Sequence, residues 1–159
     1  MCDEHCAKAG RKCACKNIQI ATAESCTGGL IAGAITSVAG SSRIYPGGFV
    51  TYSNESKQKL LKVPAACILE NGAVSAQTAR SMAAGCSASF DGALAVAVTG
   101  IAGPGGGTQN KPVGLVYIAT AIDKDTKCYN HHFQGDRHSI REQTIEQALN
   151  HLLTRINTM

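Results

Sequence analysis

The sequence has no tryptophan, and its only aromatic side chains are four tyrosines and three phenylalanines. A core therefore has to be built from Ala, Val, Ile and Leu. No lysine or arginine run stands out, and a net charge of +4 leaves no electrostatic footprint for nucleic acid. A small anionic ligand is favoured instead. No apolar stretch reaches the roughly 20 residues that span a bilayer, and the N-terminus lacks the positive region and apolar run of a signal peptide. The sequence reads as cytoplasmic, with no membrane partner. Without a secretory signal, the eight cysteines do not read as a disulfide framework. Four of them (Cys2, Cys6, Cys13 and Cys15) crowd the N-terminus beside His5. Their spacing is not that of paired C-x2-C zinc knuckles. They are read as small apolar residues on a short helix, Asp3 to Cys13, and no metal is expected.

With 159 residues, 44% apolar and 16% charged, the chain suits one globular domain over 1–159, of which 1–16 is the cysteine-rich segment. Ile18 to Thr22 alternates like a short buried strand. Leu30, Ile31, Ala34, Ile35 and Val38 then recur at helical spacing. Gly40-Ser-Ser42 reads as a turn and Gly47 to Tyr52 as a second strand. Ser53-Asn54 caps a helix from Glu55 to Leu61, which Val63-Pro64 ends. Asn71-Gly72 signals a turn, and Ser75 caps a helix from about Ala76 to Ser87. Ala93 to Val98 is a continuous small-apolar strand of the fully buried kind. It leads into the glycine-rich loop Thr99 to Thr108. Val113 to Thr120 and Cys128 to Phe133 read as an antiparallel pair. Gly135-Asp-Arg137 opens a last helix whose inner face carries Ile140, Ile145, Ala148, Leu149, Leu152 and Ile156. Alternating helices and strands followed by a hairpin predict an α/β fold, a single layered α/β/α domain with a mixed, mainly parallel sheet.

The chemistry concentrates at the turn Ser25-Cys-Thr-Gly-Gly29, between strand and helix. Such a turn lifts a side chain to the sheet's edge and points helix N–H groups at its neighbour. Ser25 is the candidate nucleophile, although a serine at a helix start also serves as a plain cap. Its surroundings are not the G-x-S-x-G elbow of the α/β-hydrolases. Cys26 is the rival, in a position that favours a thiolate, or else a small buried apolar side chain. A serine needs a base. Lys57 sits near the start of its helix, where the dipole disfavours a cation. A partly buried lysine there loses its proton more readily, unless it simply faces water with Lys59 and Lys62. Tyr52, at the end of the preceding strand, reaches the same space. The Thr99–Thr108 loop lacks the Lys-Ser/Thr ending of a P-loop and does not match G-x-G-x-x-G. Two glycine-rich turns leaving two strands nonetheless mark where an open α/β sheet binds its ligand. Arg137 is placed either for a forked contact to phosphate or for a surface ion pair with Asp136 or Glu142.

Ala23-Glu-Ser-Cys-Thr-Gly-Gly29, Gly48-Phe-Val-Thr-Tyr-Ser-Asn-Glu55 with Lys57, Gly72-Ala-Val-Ser75, Gly100-Ile-Ala-Gly-Pro104, Lys111-Pro-Val-Gly114 and Gly135-Asp-Arg137 together resemble the CinA carboxy-terminal domain, the nicotinamide mononucleotide deamidase family. The likeness runs in order from about Ile18 to the end of the last helix. It implies an amidase that converts nicotinamide mononucleotide to nicotinic acid mononucleotide and ammonia, without metal or cofactor, in a homo-oligomer. The family's serine-lysine pair and assisting tyrosine fall on Ser25, Lys57 and Tyr52. On this resemblance Cys26, Thr27, Gly28 and Gly29 bind substrate, with N–H groups around Cys26 to Gly28 holding the oxyanion. Thr99, Gly100, Gly103, Gly105 and Arg137 hold the rest of the nucleotide, the ribose phosphate falling to the glycine loop and Arg137. The cysteine-rich N-terminus departs from the leucine-rich amphipathic helix usual in such domains, and the amino-terminal molybdopterin-binding-like domain of two-domain relatives is missing. A non-catalytic nucleotide- or partner-binding module needs the same glycine loops but not the Ser25, Tyr52, Lys57 trio. A cysteine-based or metal-dependent enzyme is the third alternative.

Overall fold

The computed structural model describes residues 8, 10–13 and 15–159. Five strands form one sheet: β1 (Ile20–Glu24), β2 (Gly47–Val50), β3 (Leu94–Gly100), β4 (Leu115–Ile122) and β5 (Asp125–His132), in the order β2-β1-β3-β4-β5. β1 is parallel to both β2 and β3, whereas β4 is antiparallel to β3 and β5 antiparallel to β4. Four of the five strands therefore point the same way, which is the mixed sheet expected of alternating units closed by a hairpin.

Side chains alternate across β3 and divide the core in two. Leu94, Val96 and Val98 join Ile20, Val116 and Ile118 on one face. That face is covered by α1 (Leu30–Thr36), through Ile31 and Ile35, and by the last helix α5 (Arg137–Thr158). The opposite face is almost all alanine: Ala21, Ala23, Ala95, Ala97, Ala119 and Ala121. Against it lies α4 (Ala76–Ser89), with Ala79, Met82, Ala83 and Cys86 turned inward, together with Leu61 at the end of α2 (Asn54–Leu61). Small residues on both partners let helix and sheet approach closely, so packing rather than bulk fills that layer.

The caps fall where the sequence placed them. The Ser53 and Ser75 hydroxyls accept the N–H of Ser56 and Thr78 at the starts of α2 and α4. Asp136 does the same for Ser139 at the start of α5. α2 ends at Leu61 as expected, and Pro64 beyond it is the N-cap of a short helix, α3 (Ala65–Asn71), that the sequence reading did not contain. β1 begins two residues later than expected, because Asn17 is left-handed (φ 55°) and the Ile18 N–H still bonds back to Cys13 O at 3.0 Å. Residues 8, 10–13, 15 and 16 are helical, so the N-terminal helix runs past Cys13. Cys13 is buried in the α1–α5 layer and Cys15 is exposed. Lys16 Nζ donates to Ile156 O at 3.0 Å, tying this helix to the end of α5. The start of that helix at Asp3, together with Cys2, His5 and Cys6, lies outside the described residues. None of the described helices is long and apolar enough to cross a membrane.

Candidate active site

The carboxyl ends of β1, β2 and β3 lie side by side. Ser25 N–H donates to Val98 O at 3.2 Å and Thr51 N–H to Glu24 O at 2.8 Å, so the ladder carries the first residues beyond β1 and β2 into one shared edge. In an open α/β sheet this edge is where ligands bind. Ser25 stands at its centre, buried but for a sliver of surface.

Lys57 comes to Ser25 from α2. It is 1% exposed, while Lys59 and Lys62 of the same helical region face water. Its Nζ lies 3.0 Å from Ser25 Oγ, 2.7 Å from Thr51 O and 3.4 Å from Tyr52 O. No carboxylate pairs with it among the described residues. Burial lowers its pKa below the ordinary lysine value of 10.5, against a smaller opposing pull from Cys26. A neutral amine satisfies the same three neighbours: two N–H donors meet the two carbonyls, and the lone pair accepts the Ser25 hydroxyl. An amine and a hydroxyl so placed can exchange a proton.

The neighbouring candidates divide clearly. Cys26 turns away from Lys57 into the α1–α5 core, is 6% exposed, and its thiol is pushed up to about 11, chiefly by burial. Tyr52 meets Lys57 only through its carbonyl. Its ring is 65% exposed and its hydroxyl accepts from Arg137 Nη2 at 3.2 Å. Arg137 Nη1 donates to Gly103 O at 2.8 Å, so it pairs with neither Asp136, which caps α5, nor Glu142, which sits 3.3 Å from His138. Tyr52, Gly103 and Arg137 thus link three chain segments across the site. Thr99 and Gly100 belong to β3 rather than to the loop, and the buried Thr99 hydroxyl is committed to Ala73 O at 2.8 Å. A Cβ on Gly100 would lie 2.6 Å from Val116 Cγ2, so this glycine is required for packing. Gly105 has open space about it.

The expectation of uncommitted N–H groups at the helix start needs correction. α1 has glycine at its N-cap and no acidic residue in its first turn. Its orphan donors are taken by Glu24 instead, which accepts from Gly29 N at 3.0 Å, Ile31 N at 3.1 Å and Ala32 N at 2.8 Å. Gly28 N–H is spent on Ser25 O at 3.1 Å, so it is no oxyanion donor. Within the turn, the N–H groups of Cys26 and Thr27 meet no acceptor from another residue among those described. Gly28 (φ 62°) and Gly29 (φ 99°) are needed for their left-handed backbone, not for lack of room.

Glu24 and Arg141 were not singled out from the sequence. Arg141 Nη2 donates to Thr27 O at 2.9 Å and so holds the turn from the α5 side. Glu24 had a readable signal: a carboxylate closing an apolar strand, ahead of a helix with no capping side chain of its own. Arg141 had none, since 114 residues separate it from Thr27.

The sequence profile of the CinA C-terminal domain matches residues 3–156. A CinA-like protein of Citrifermentans bemidjiense is 51% identical over 145 residues, covering 89% of this chain but 35% of its own length. The CinA-like protein of Geobacter sulfurreducens is likewise 51% identical, over 143 residues and 35% of its length. The chain thus spans about a third of the curated relatives it matches. Among solved structures, the competence/damage inducible protein CihA of Agrobacterium tumefaciens superposes with a TM-score of 0.94 at 42% identity, covering 98% of this chain and 95% of that one. A CinA superfamily protein of Klebsiella pneumoniae gives 0.95 at 30% identity, over 100% and 99% of the two chains. A profile match over nearly the whole chain, with relatives and structures agreeing in both sequence and fold, places this protein in the CinA C-terminal domain family.

Proposed function

We propose that the chain is an amidohydrolase that cleaves the carboxamide of nicotinamide mononucleotide to the carboxylate and ammonia, with Ser25 as nucleophile and Lys57 as its base. The observation that carries this reading is the buried amine 3.0 Å from Ser25 Oγ with no carboxylate to hold its proton. Lys57 takes the Ser25 proton as Oγ attacks the carboxamide carbon. The tetrahedral oxyanion is held by the N–H groups of Cys26 and Thr27. Lys57 passes the proton to the amide nitrogen, the C–N bond breaks, ammonia leaves, and an ester to Ser25 remains. A water molecule then gives a proton to Lys57 and attacks the ester. The acid product departs and Ser25 recovers its proton.

Tyr52 contributes its carbonyl to fix Lys57, and its hydroxyl, with Arg137, to the ligand side of the site. Arg137 and the loop over residues 101–107 take the ribose phosphate, a guanidinium meeting an anion. Neither a cofactor nor a metal has a part in these steps.

Purified protein mixed with nicotinamide mononucleotide, beside folded Ser25→Ala and Lys57→Ala variants, tests the reading by release of ammonia and the acid. Turnover lost in both variants supports it. Turnover surviving Ser25→Ala overturns the assignment of the nucleophile. Saturable binding without turnover in the parent replaces the amidase with a nucleotide-binding module.

A further inference from the structure

Glu24 is the one fully buried carboxylate among the described residues, with 0% of its surface exposed. A buried charge needs a partner, yet no lysine or arginine pairs with it among them. Both its oxygens are instead consumed by the segment that follows. Oε2 accepts from the Thr27 hydroxyl at 2.6 Å, Gly29 N at 3.0 Å and Ile31 N at 3.1 Å, and Oε1 from Ala32 N at 2.8 Å. The positive end of α1 balances what charge remains.

The turn that Glu24 grips is the one carrying Ser25. Gly28 N–H to Ser25 O closes it from within, and Arg141 holds its Thr27 carbonyl. Once these bonds are made, only the Cys26 and Thr27 N–H groups of the turn have no acceptor from another residue among those described. We infer that Glu24 is a positioning residue for the reacting turn: by taking the first N–H groups of α1 and the Thr27 hydroxyl, it fixes Ser25 Oγ at Lys57 Nζ and leaves two main-chain donors beside the nucleophile. It touches neither substrate nor base, and it acts through the turn. It also leaves α1 no donors for a phosphate, which must be held elsewhere. The inference rests on the amidase reading for its kinetic consequence but not for its structural one.

Glu24→Gln keeps the shape, gives up one acceptor oxygen and turns an NH2 toward N–H groups. Measured per folded molecule, kcat for nicotinamide mononucleotide falls about 100-fold, the scale of a displaced reacting group, while KM is unchanged. Glu24→Asp, which keeps both oxygens on a shorter arm, recovers part of that loss. Hydrogen exchange at the Gly29, Ile31 and Ala32 amides speeds up in Glu24→Gln. If Glu24→Gln does not fold, Glu24→Asp carries both readouts, with a smaller fall and a smaller gain in exchange. Parental kcat per folded molecule overturns the inference, and so does a rise in KM at parental kcat. Should the parent itself turn over no nucleotide, the amidase reading falls, and amide exchange alone decides on Glu24. Equal protection in parent and variant then overturns its role.

Discussion

Replacing Lys57 by methionine keeps an unbranched side chain, one atom shorter, and removes the amine. On the proposed mechanism the Ser25 hydroxyl loses its base, and the Thr51 carbonyl loses the donor 2.7 Å away. General-base catalysis is worth about 10²- to 10⁴-fold, so kcat should fall by that factor, about 3 to 5 kcal/mol of barrier, at unchanged KM. Stability responds in two opposing ways. The Thr51 carbonyl, left buried without a partner, costs about 1–3 kcal/mol. Against this, the variant no longer has to bury an amine whose folded-state pKa lies below 10.5. Between the lowered pKa and 10.5 the unfolded parent binds more protons than the folded one, so parental stability rises with pH across that window. Methionine has no such dependence. The variant's deficit should therefore be largest above pH 10.5 and shrink, by at most about 1.4 kcal/mol per pH unit, as pH falls through that window. Urea unfolding of both proteins from pH 6 to 10.5 measures this. The parental kcat/KM profile should rise with pH and level off below 10.5 if, as proposed, the neutral amine is the base. A stability gap that is flat across pH, or an activity limb at 10.5 or above, refutes a lysine with lowered pKa.

Cys26, with its thiol pushed up to about 11 inside the core, should resist iodoacetamide at pH 8 while the exposed Cys15 reacts. Peptide mapping that finds Cys26 alkylated in folded protein contradicts the placement, and so does loss of activity in Cys26→Ala. His151 is held at about 4 by burial and by the neighbouring His131, whose Nε2 lies 3.0 Å from its own. Its contribution to stability is present above pH 6.5 and lost as pH falls toward 4. Denaturant titrations at pH 7 and pH 5 should show His151→Gln losing less than the parent, and equal losses would exclude the pair as the cause. Gly28→Ala places a side chain at φ 62°, where the added Cβ meets only Arg141 Nη2 at 3.6 Å. Backbone strain alone should cost about 1–2 kcal/mol, read from thermal melts, and a variant as stable as the parent would mean the turn relaxes.

Much of the fold was legible because it is written in local chemistry. The continuous small-apolar run of β3, the capping residues Ser53 and Ser75, and the helical spacing of α5 each concern residues a few positions apart. α3 was not legible: Leu69 in it is 87% exposed and Ile68 is its only buried residue, so it carries no apolar stripe to read. Pro64 looked like a stop, yet a proline also opens helices, because a helix leaves its first N–H groups unpaired in any case.

For the site, the sequence by itself determined which groups were available. It supplied a serine at a strand-to-helix turn, glycines where the backbone must turn left-handed, and a lysine at the wrong end of its helix for a cation. Only the tertiary structure decided what they meet. Lys57 and Ser25 are 32 residues apart, and the lysine is buried because β1 and β2 are parallel neighbours whose next residues share one edge. That same edge turns the Tyr52 ring out toward Arg137, 85 residues away, and sends Cys26 into the core. Direction and burial of a side chain depend on which strands pair. Pairing is settled by the whole sheet burying its two faces at once, and no local stretch of sequence carries that information.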